Sequence, residues 1–358
     1  MNSIKSICIV GQGLNGGGIE RAYTSLANYY VSIGIEVSII LLFKTEKFYV
    51  LDPKVNIFYP RINRNNYSKY LYAIAVMPYL RGAVKRINPD VVLSFNEWFN
   101  SYVIIVTMGL NIPVFVTDRM SPDLKLNIIH SLTRKILYNK AAGVIAQTNY
   151  AAEKINVTCR PKQIIVIPNP VNVIDVPKRN KKRSIVSLGR LSAEKGHKYL
   201  IEAFGKIRQN DWELDIIGDG PDKEMLQKLS ERVCDGKVVN FHGHLKEFTD
   251  IMGEAQIFVL PSLSEGFPNA LIEAMSVPLA CISTNCVAGP SDIIIDKVNG
   301  LLVNVADSQD LADKIQMLID DINLRESISK NAYQIRKTLN FNDIANKYLE
   351  FMNNINNS

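Results

Sequence analysis

Short apolar runs alternate with amphipathic stretches along almost the whole chain. The runs are continuous in Val, Ile and Leu, which is typical of parallel strands buried on both faces. We predict strands at 7–10, 37–43, 91–94, 103–106, 114–117, 144–146, 164–167, 185–188, 214–217, 238–241, 257–260 and 279–283. We predict helices between them, for example at 18–32, 197–207, 221–233 and 311–318. Strand and helix alternate, so the sequence predicts an α/β protein.

This alternation occurs twice, and a segment of different composition separates the two occurrences. Residues 168–184, PNPVNVIDVPKRNKKRS, are rich in proline and then in basic residues, without apolar periodicity. Such a segment indicates an interdomain linker, in which the basic run is a solvated charge cluster. The 358 residues suffice for two domains, each with its own core. We therefore predict two doubly wound parallel-sheet domains, at 1–170 and 171–338.

The charge is unevenly distributed between the two halves. Residues 1–175 hold 19 Lys and Arg against 10 Asp and Glu, a net charge of +9, whereas the whole chain has +6 and the remainder −3. The first half is therefore expected to meet something anionic, either nucleic acid or a membrane surface.

Two stretches of that half, 61–86 and 124–140, combine cations with apolar residues and suit an anionic membrane. The cations of the second are Lys125, Arg134, Lys135 and Lys140. Packing on the protein's own core would explain the apolar stripes but not the charge. Because no RNA-binding signature is present, we predict no nucleic-acid partner.

The five cysteines are odd in number and widely spaced, and no C-x-x-C pair occurs, so neither a zinc site nor a disulfide framework is predicted. The first residues, MNSIKSICIVGQG, lack the long apolar region of a signal peptide. No run of 18 or more apolar residues occurs either. We expect a reduced, cytosolic, soluble protein.

The stretch SICIVGQGLNGGGIERAY, residues 6–23, contains G-x-G-x-x-G at 11–16, directly after a predicted strand. A dinucleotide site also needs an acidic residue at the far end of the second strand. Glu36 precedes that strand, whose far end reads Phe43-Lys44, so a nicotinamide-dependent dehydrogenase is disfavoured. The loop instead offers backbone amides to an anionic ligand, the alternative being a merely flexible loop.

Charged residues follow two predicted strands of the second half, 185–188 and 257–260. Arg190 and Lys195 lie in SLGRLSAEKGHKYLIEAF, after strand 185–188. Two cations at the carboxyl edge of a parallel sheet suit a phosphate group. Glu265 and Glu273 are eight residues apart in VLPSLSEGFPNALIEAM, the first in a loop and the second in a helix. Beside an anion site, two carboxylates suit sugar or ribose hydroxyls. The start of that helix offers free amides to phosphate.

These motifs resemble, in order, those of the GT-B glycosyltransferases of family 4, the group 1 transferases. G-R-L-x-x-x-K-G lies at 189–196, G-D-G-P at 218–221 and P-S-x-x-E-G-F-P-x-x-x-x-E at 261–273. The resemblance covers essentially the whole chain. It implies two Rossmann-like domains facing across a cleft, with the last helix, about 339–358, packing back on the first. It also implies retention of anomeric configuration, a UDP-sugar as co-substrate and no metal.

The resemblance implies a role for each motif. Arg190 and Lys195 would grip the donor diphosphate and stabilise the charge that develops as it leaves. Glu265 would lie by the donor sugar, and Glu273 would accept hydrogen bonds from the ribose hydroxyls. The phosphate would meet the amides of 267–270 and the glycine loop of the first domain, and the base would lie near 218–219 and 243–245. The implied donor-binding residues are Gly16, Gly17, Gly189, Gly218, Asp219, His244, Leu245, Gly266, Phe267, Pro268, Asn269, Ala270 and Glu273.

The sequence departs from the family at one position. Many members carry a histidine near the transferred sugar, where this chain reads VFVTDRMSPD, with Asp118 and Arg119 in that place. Arg119 would instead bond a sugar hydroxyl or the reacting phosphate oxygen. His242 and His244 lack a nearby third ligand, and no D-x-D occurs, so no metal site is predicted.

The resemblance implies a retaining transferase that moves a hexosyl or N-acetylhexosaminyl unit (GalNAc or GlcNAc favoured) from a UDP-sugar. The acceptor would be a saccharide on undecaprenyl diphosphate, in O-antigen or capsule assembly at the inner face of the cytoplasmic membrane. One alternative is a non-hydrolysing UDP-N-acetylglucosamine 2-epimerase, which should lack the Glu265/Glu273 spacing. Another is a non-catalytic relative that binds a nucleotide sugar, against which the intact Arg190, Lys195 and glutamate pair argue.

Overall fold

The computed structural model describes residues 3–123, 127–177, 180–245 and 247–356. The strands are β1 (Ser6–Gly11), β2 (Glu36–Leu41), β3 (Asn56–Phe58), β4 (Val91–Phe95), β5 (Val114–Thr117), β6 (Gly143–Ala146), β7 (Ile164–Val166), β8 (Ser184–Leu188), β9 (Glu213–Ile217), β10 (Val238–Gly243), β11 (Ile257–Leu260), β12 (Ala280–Thr284) and β13 (Leu301–Val303). The helices are α1 (Gly18–Ser32), α2 (Lys69–Ile87), α3 (Glu97–Thr107), α4 (Ile128–Leu137), α5 (Asn149–Cys159), α6 (His197–Lys206), α7 (Lys223–Val233), α8 (Thr249–Glu254), α9 (Asn269–Met275), α10 (Pro290–Ile293), α11 (Ser308–Asp320), α12 (Ile322–Ala332), α13 (Ile335–Thr338) and α14 (Phe341–Asn356).

The chain divides into two compact units. The first comprises Met1–Asn169 and Phe341–Ser358, and the second Pro170–Asn340. The first boundary, between residues 169 and 170, lies within one residue of the predicted boundary at 170. The second unit ends at residue 340, two residues after the predicted end at 338. Helix α14 belongs to the first unit, where Tyr30 Oη donates a hydrogen bond to the Ala345 carbonyl at 3.0 Å. The Ile4 N–H likewise donates to Asn353 Oδ1 at 2.8 Å.

Each unit contains one parallel sheet with helical crossovers. The first sheet has the order β3-β2-β1-β4-β5-β6-β7 and the second β10-β9-β8-β11-β12-β13. In both, the order reverses beside the first strand of the unit, between β1 and β4 and between β8 and β11. Ligands of open α/β sheets bind at the carboxyl ends of the strands beside such a reversal, because the flanking loops diverge there.

The continuous apolar strands inside each sheet are buried on both faces, as the sequence predicts, whereas the edge strands β7 and β10 are only partly buried. Neighbouring residues of β8 enter two different cores: Ile185 packs with Leu214 and Ile257, and Val186 with Phe258. A period of two would have exposed one of the two faces, whereas the continuous run fills both layers of helices.

One strand prediction was wrong. The run 103–106 lies in helix α3, where Val103, Ile104 and Val106 are buried. Asn96 caps this helix, since its Oδ1 accepts a hydrogen bond from the Trp98 N–H at 3.1 Å. A short β-branched run in a buried helix resembles a buried strand, and here the cap and the packing outweigh β-propensity.

The basic end of the predicted linker is more ordered than a solvated charge run. Lys181 Nζ donates to the carbonyls of Ala255 at 2.7 Å and Pro278 at 2.9 Å. Lys178 and Arg179 lie outside the described residues. The preceding segment also packs in, because Val171 and Ile174 are buried in a core of the second unit.

The cysteines, the possible metal ligands and the helix lengths each test an expectation from the sequence. All five cysteines are buried, free thiols. Within the described ranges, His, Cys, Asp and Glu nowhere cluster in threes in a way that could hold a metal ion. No described helix combines the length and apolarity needed to cross a bilayer.

Candidate functional site

Three loops meet at the carboxyl edge of the second sheet, beside the reversal between β8 and β11. The Leu191 N–H donates to the Asp219 carbonyl at 3.0 Å, which ties the loop after β8 to the loop after β9. The Leu263 N–H donates to the Glu194 carbonyl at 2.8 Å, which ties in the loop after β11. The edge that carries the predicted donor-binding residues of this unit is therefore one hydrogen-bonded structure.

A partly buried ion pair joins two of these loops. Lys195 Nζ lies 2.7 Å from Glu265 Oε1, and Ser262 Oγ donates to the same oxygen at 2.7 Å. The Glu265 side chain is only 8% exposed, whereas that of Lys195 is 27% exposed. The carboxylate therefore fixes an ammonium group that still reaches solvent. The sequence predicts both residues as catalytic but not their contact, and the place of Glu265 beside a donor sugar stays a prediction.

Gly218 lies where the loop after β9 is in close contact with the loop after β8. Its φ is 150°, and its N–H donates to the Gly243 carbonyl at 2.8 Å. A Cβ at this position would lie 1.9 Å from the carbonyl oxygen of Gly189, so no side chain fits without moving the backbone. Gly189 and Gly218 thus bring their loops together. The side chain of the neighbouring Asp219 makes a local contact, because its Oδ1 accepts a hydrogen bond from the Gly220 N–H at 2.8 Å.

The other predicted residues of this edge differ in their contacts. Arg190 and His244 are exposed, and Leu245 packs against a core of the second unit. Glu273 Oε1 accepts a hydrogen bond from Asn172 Nδ2 at 3.4 Å, so a ribose hydroxyl would share or replace that contact. His242 pairs with Asp215 Oδ1 at 2.8 Å, in keeping with a structural histidine.

The prediction that all four amides of 267–270 bind phosphate needs correction. Pro268 has no N–H. The Asn269 N–H donates to the Phe267 carbonyl at 2.9 Å, in the turn that begins helix α9. Phe267 and Ala270 are then the two members of this stretch whose amides could face an anion.

A buried histidine that the sequence analysis did not single out lies under the same edge. His197 begins helix α6 and is 2% exposed, and neither ring nitrogen has a hydrogen-bond partner among the described residues. Burial, together with the charge of Lys195, lowers its pKa to about 4, so the ring is neutral at physiological pH. A Cβ on Gly189 would lie 3.6 Å from its Cε1, so the ring packs behind the loop that carries Arg190.

The two predicted catalytic residues of the first unit lie at the end of β5 and have several partners. Asp118 is ion-paired with Arg134 and accepts a hydrogen bond from Tyr138 Oη at 2.6 Å, which favours a supporting role. The Arg119 guanidinium donates to Asn169 Oδ1 and to Tyr348 Oη, the latter at 3.3 Å. It also lies over the Phe95 ring, 5.5 Å from the centroid.

A further carboxyl group that the sequence analysis missed lies against them. Glu97 lies two residues after the end of β4 and is 6% exposed. Its Oε1 accepts hydrogen bonds from the N–H groups of Arg119 and Met120, the second at 2.5 Å. Burial and, to a lesser extent, the charge of Asp118 raise its pKa to about 7, against the opposing effect of those bonds. The signal available in the sequence was a polar pair, Asn96-Glu97, at a strand end.

The glycine loop of the first unit is ordered by local contacts. The Gly17 N–H donates to the Asn15 carbonyl at 3.0 Å, and the Gly17 carbonyl accepts a hydrogen bond from Tyr49 Oη at 3.1 Å. A Cβ on Gly16 would come within 3.1 Å of the Phe48 ring. Since the Gly17 amide is already bonded, a phosphate contact through it would require this turn to open.

Comparison with known proteins gives matches over nearly the whole length. Residues 16–174 match the model described as Glycosyltransferase Family 4, and residues 172–335 the model described as Glycosyl transferases group 1. The chain is 27% identical over 357 residues to a GalNAc-α-(1→4)-GalNAc-α-(1→3)-diNAcBac-PP-undecaprenol α-1,4-N-acetyl-D-galactosaminyltransferase of Campylobacter jejuni, covering 96% of this chain and 97% of that one. It is 30% identical to the lipopolysaccharide 1,6-galactosyltransferase of Escherichia coli over 56% of either chain.

Solved structures agree with these matches. A glycosyltransferase of Rickettsia africae has a TM-score of 0.80 at 20% identity and covers 99% of both chains. The Anabaena protein HepE, solved in complex with UDP, has a TM-score of 0.79 at 17% identity and covers 97% of this chain and 99% of that one. These likenesses confirm the predicted GT-B fold class.

Proposed function

Since two models that together span residues 16–335 both describe glycosyltransferases, the chain belongs to this family of enzymes, and we propose that it moves a hexosyl or N-acetylhexosaminyl unit from a UDP-sugar to a lipid-linked saccharide. GalNAc and GlcNAc are the favoured sugars, because a Campylobacter relative is an N-acetylgalactosaminyltransferase. The acceptor is a saccharide on undecaprenyl diphosphate, as in the name of that relative, and the pathway is surface-polysaccharide assembly.

The observation that carries the donor half of this proposal is the Lys195–Glu265 pair beside the reversal of the second sheet. An ammonium group fixed at a loop junction suits a diphosphate, because its position needs no reorganisation when negative charge develops there. Arg190 lies in the same loop, is exposed and adds a fork of donors. The amides of Phe267 and Ala270 and the carboxylate of Glu273 supply the remaining contacts to phosphate and ribose.

The reaction we propose keeps the configuration of the sugar. The acceptor hydroxyl attacks the anomeric carbon from the face of the departing UDP, and a phosphate oxygen of the donor takes the hydroxyl proton. Lys195 and Arg190 stabilise the diphosphate as its charge grows, so no metal ion is required. Neither Glu265 nor Glu273 acts as a nucleophile, and the two-carboxylate scheme of glycosidases does not apply. Arg119 bonds a sugar hydroxyl or the reacting phosphate oxygen.

A donor screen tests this proposal. Calorimetry with UDP, GDP, ADP and NAD in the presence of a chelator should show binding of UDP, with affinity lost in Arg190→Ala and Lys195→Ala. Arg183→Ala, at an exposed residue paired with Asp211, is the matched control and should bind UDP like the wild type. Binding of NAD without any nucleoside diphosphate would contradict the proposal and favour a dehydrogenase. Sugar transfer to a lipid fraction would exclude both the epimerase and the non-catalytic relative.

We also propose that the first unit rests on the inner face of the cytoplasmic membrane. Helix α4 buries none of its residues and exposes Ile128, Ile129, Leu132 and Ile136, of which the last three repeat at helical spacing. Helix α2 exposes Tyr70, Leu71 and Ile74, while its opposite face packs on the core. Lys135 lies beside the apolar face of α4, whereas Arg134 is paired with Asp118, and Lys125 lies outside the described residues.

Vesicle binding is expected to depend on that face of α4. The triple variant Ile129→Ser/Leu132→Ser/Ile136→Ser should weaken binding to vesicles with about one third anionic lipid by roughly tenfold or more, because three apolar side chains no longer enter the interface. The control is Ile322→Ser, at a residue 56% exposed in the second unit. Sedimentation with vesicles measures both variants. Equal binding by the triple variant and the wild type would contradict the proposal.

A further inference from the structure

The reversal of the first sheet, between β1 and β4, carries a strained turn. Asn96 follows β4 with a φ of 96°, a region that residues other than glycine rarely adopt. Its Nδ2 donates a hydrogen bond at 3.2 Å to Oε1 of Gln12, the residue that follows β1. Such strain persists only where surrounding contacts hold it, and it concentrates at functional sites. The turn sets Glu97 as the first residue of α3.

The carboxyl group of Glu97 is satisfied on one side only. Its Oε1 accepts the N–H groups of Arg119 and Met120, whereas Oε2 is buried with no hydrogen-bond partner among the described residues. A buried carboxyl oxygen without a partner is costly. A ligand whose hydrogen-bond donor reached Oε2 would recover this cost.

A cavity of about 1070 Å³ lies between the loop 118–123 and helices α4 and α5. Glu97 and Asp118 line it, together with the four cations Arg134, Lys135, Lys154 and Arg160. Arg134 pairs with Asp118, and Lys154 pairs with Asp123. Lys135 and Arg160 are exposed, and neither belongs to an ion pair found within the described ranges. The cavity is therefore lined by the carboxyl group of Glu97 and by more cations than carboxylates.

We propose that this cavity binds the acceptor and that Glu97 is its specificity-determining residue, with Oε2 accepting a hydrogen bond from a saccharide hydroxyl and Lys135 and Arg160 facing the diphosphate. The inference rests on the proposed function. The volume suits one or two sugar rings. A hydroxyl also suits a carboxyl group in either protonation state, because it both donates and accepts.

Glu97→Gln tests the proposal selectively. The glutamine carbonyl can still accept the N–H groups of Arg119 and Met120, while an amide NH₂ replaces Oε2 and turns an acceptor into a donor. The probe is N-acetylglucosaminyl-diphosphoundecaprenol in detergent. Trp98, next to Glu97 and in ring contact with His130 at 4.7 Å, reports binding by its fluorescence in a Trp212→Phe background. The matched control is Glu153→Gln, at an exposed residue of α5.

The Kd of the probe is expected to rise by about tenfold or more in Glu97→Gln, since a charge-assisted hydrogen bond is lost, and to stay unchanged in Glu153→Gln. The Kd of UDP should be the same in all three proteins. The variant Lys135→Ser/Arg160→Ser, at exposed positions, should also weaken probe binding, and more strongly at low salt. Equal affinity of Glu97→Gln and wild type for the probe would overturn the inference. Failure of the wild type to bind UDP would instead overturn the proposed function.

Discussion

Replacing Lys195 with alanine is expected to lower kcat/KM for sugar transfer by about 10²–10³-fold. The ammonium group is fixed against Glu265 at 2.7 Å and remains 27% exposed. Its loss removes a positive charge from the proposed diphosphate site and leaves the carboxylate of Glu265, 8% exposed, buried without its cation. The diphosphate would then meet a net negative site, so the affinity for UDP should fall together with the rate.

Two comparisons separate loss of function from loss of fold. Lys198→Ala removes the same charge from an exposed residue three positions away and should change neither rate nor affinity. The double variant Lys195→Met/Glu265→Gln removes both charges and should recover most of the melting temperature lost by Lys195→Ala, but not the affinity for UDP. Steady-state rates, calorimetry with UDP and thermal unfolding measure these effects. A Lys195→Ala enzyme within threefold of wild-type kcat/KM would contradict the assignment.

Replacing Arg119 with alanine is expected to lower kcat by roughly 10²-fold and to raise the Kd of UDP much less, because most of the proposed UDP contacts lie in the second unit whereas Arg119 belongs to the first. The guanidinium is fixed by Asn169, by Tyr348 and by the face of the Phe95 ring. A fixed cation at a strand end can stabilise developing charge without reorganisation, as proposed for the reacting phosphate oxygen.

Arg119 also has structural contacts, so the test needs controls for them. Tyr348→Phe removes only the 3.3 Å hydrogen bond and should retain most of the activity. Arg119→Lys keeps the charge but loses the fork of donors and should be intermediate in kcat. Single-turnover rates and thermal unfolding distinguish the two roles. If Arg119→Ala lost stability but kept kcat, the residue would be a structural link between β5 and α14.

The fold was predictable because apolar continuity signals a buried parallel strand. Runs such as 185–188 and 257–260 are strands within a residue or two of their predicted limits. The run 103–106 failed because a helix buried on most sides has the same local pattern. Strands β3 and β13 were missed because neither contains a run of β-branched residues, unlike the equally short edge strand β7, which lies in the run IIVI at 164–167.

The candidate site was predictable where residues are close in sequence and only partly elsewhere. Arg190 and Lys195 follow one strand, and their motif marks them. The contact of Lys195 with Glu265 spans 70 residues and depends on how the loops after β8 and β11 meet. Glu97 was missed for the same reason, because its burial and raised pKa arise from Arg119, Met120 and Asp118, which follow another strand.

Helix α14 has a consequence for the order in which the protein matures. Four of its residues, Ile344, Ala345, Tyr348 and Met352, are buried in the first unit, although 171 residues of the second unit precede them in the chain. Domains generally fold as their sequence leaves the ribosome. The second unit is complete once residue 340 has been synthesised, whereas the first must wait for α14 with part of its core uncovered. The domain that begins translation is therefore the last to finish folding.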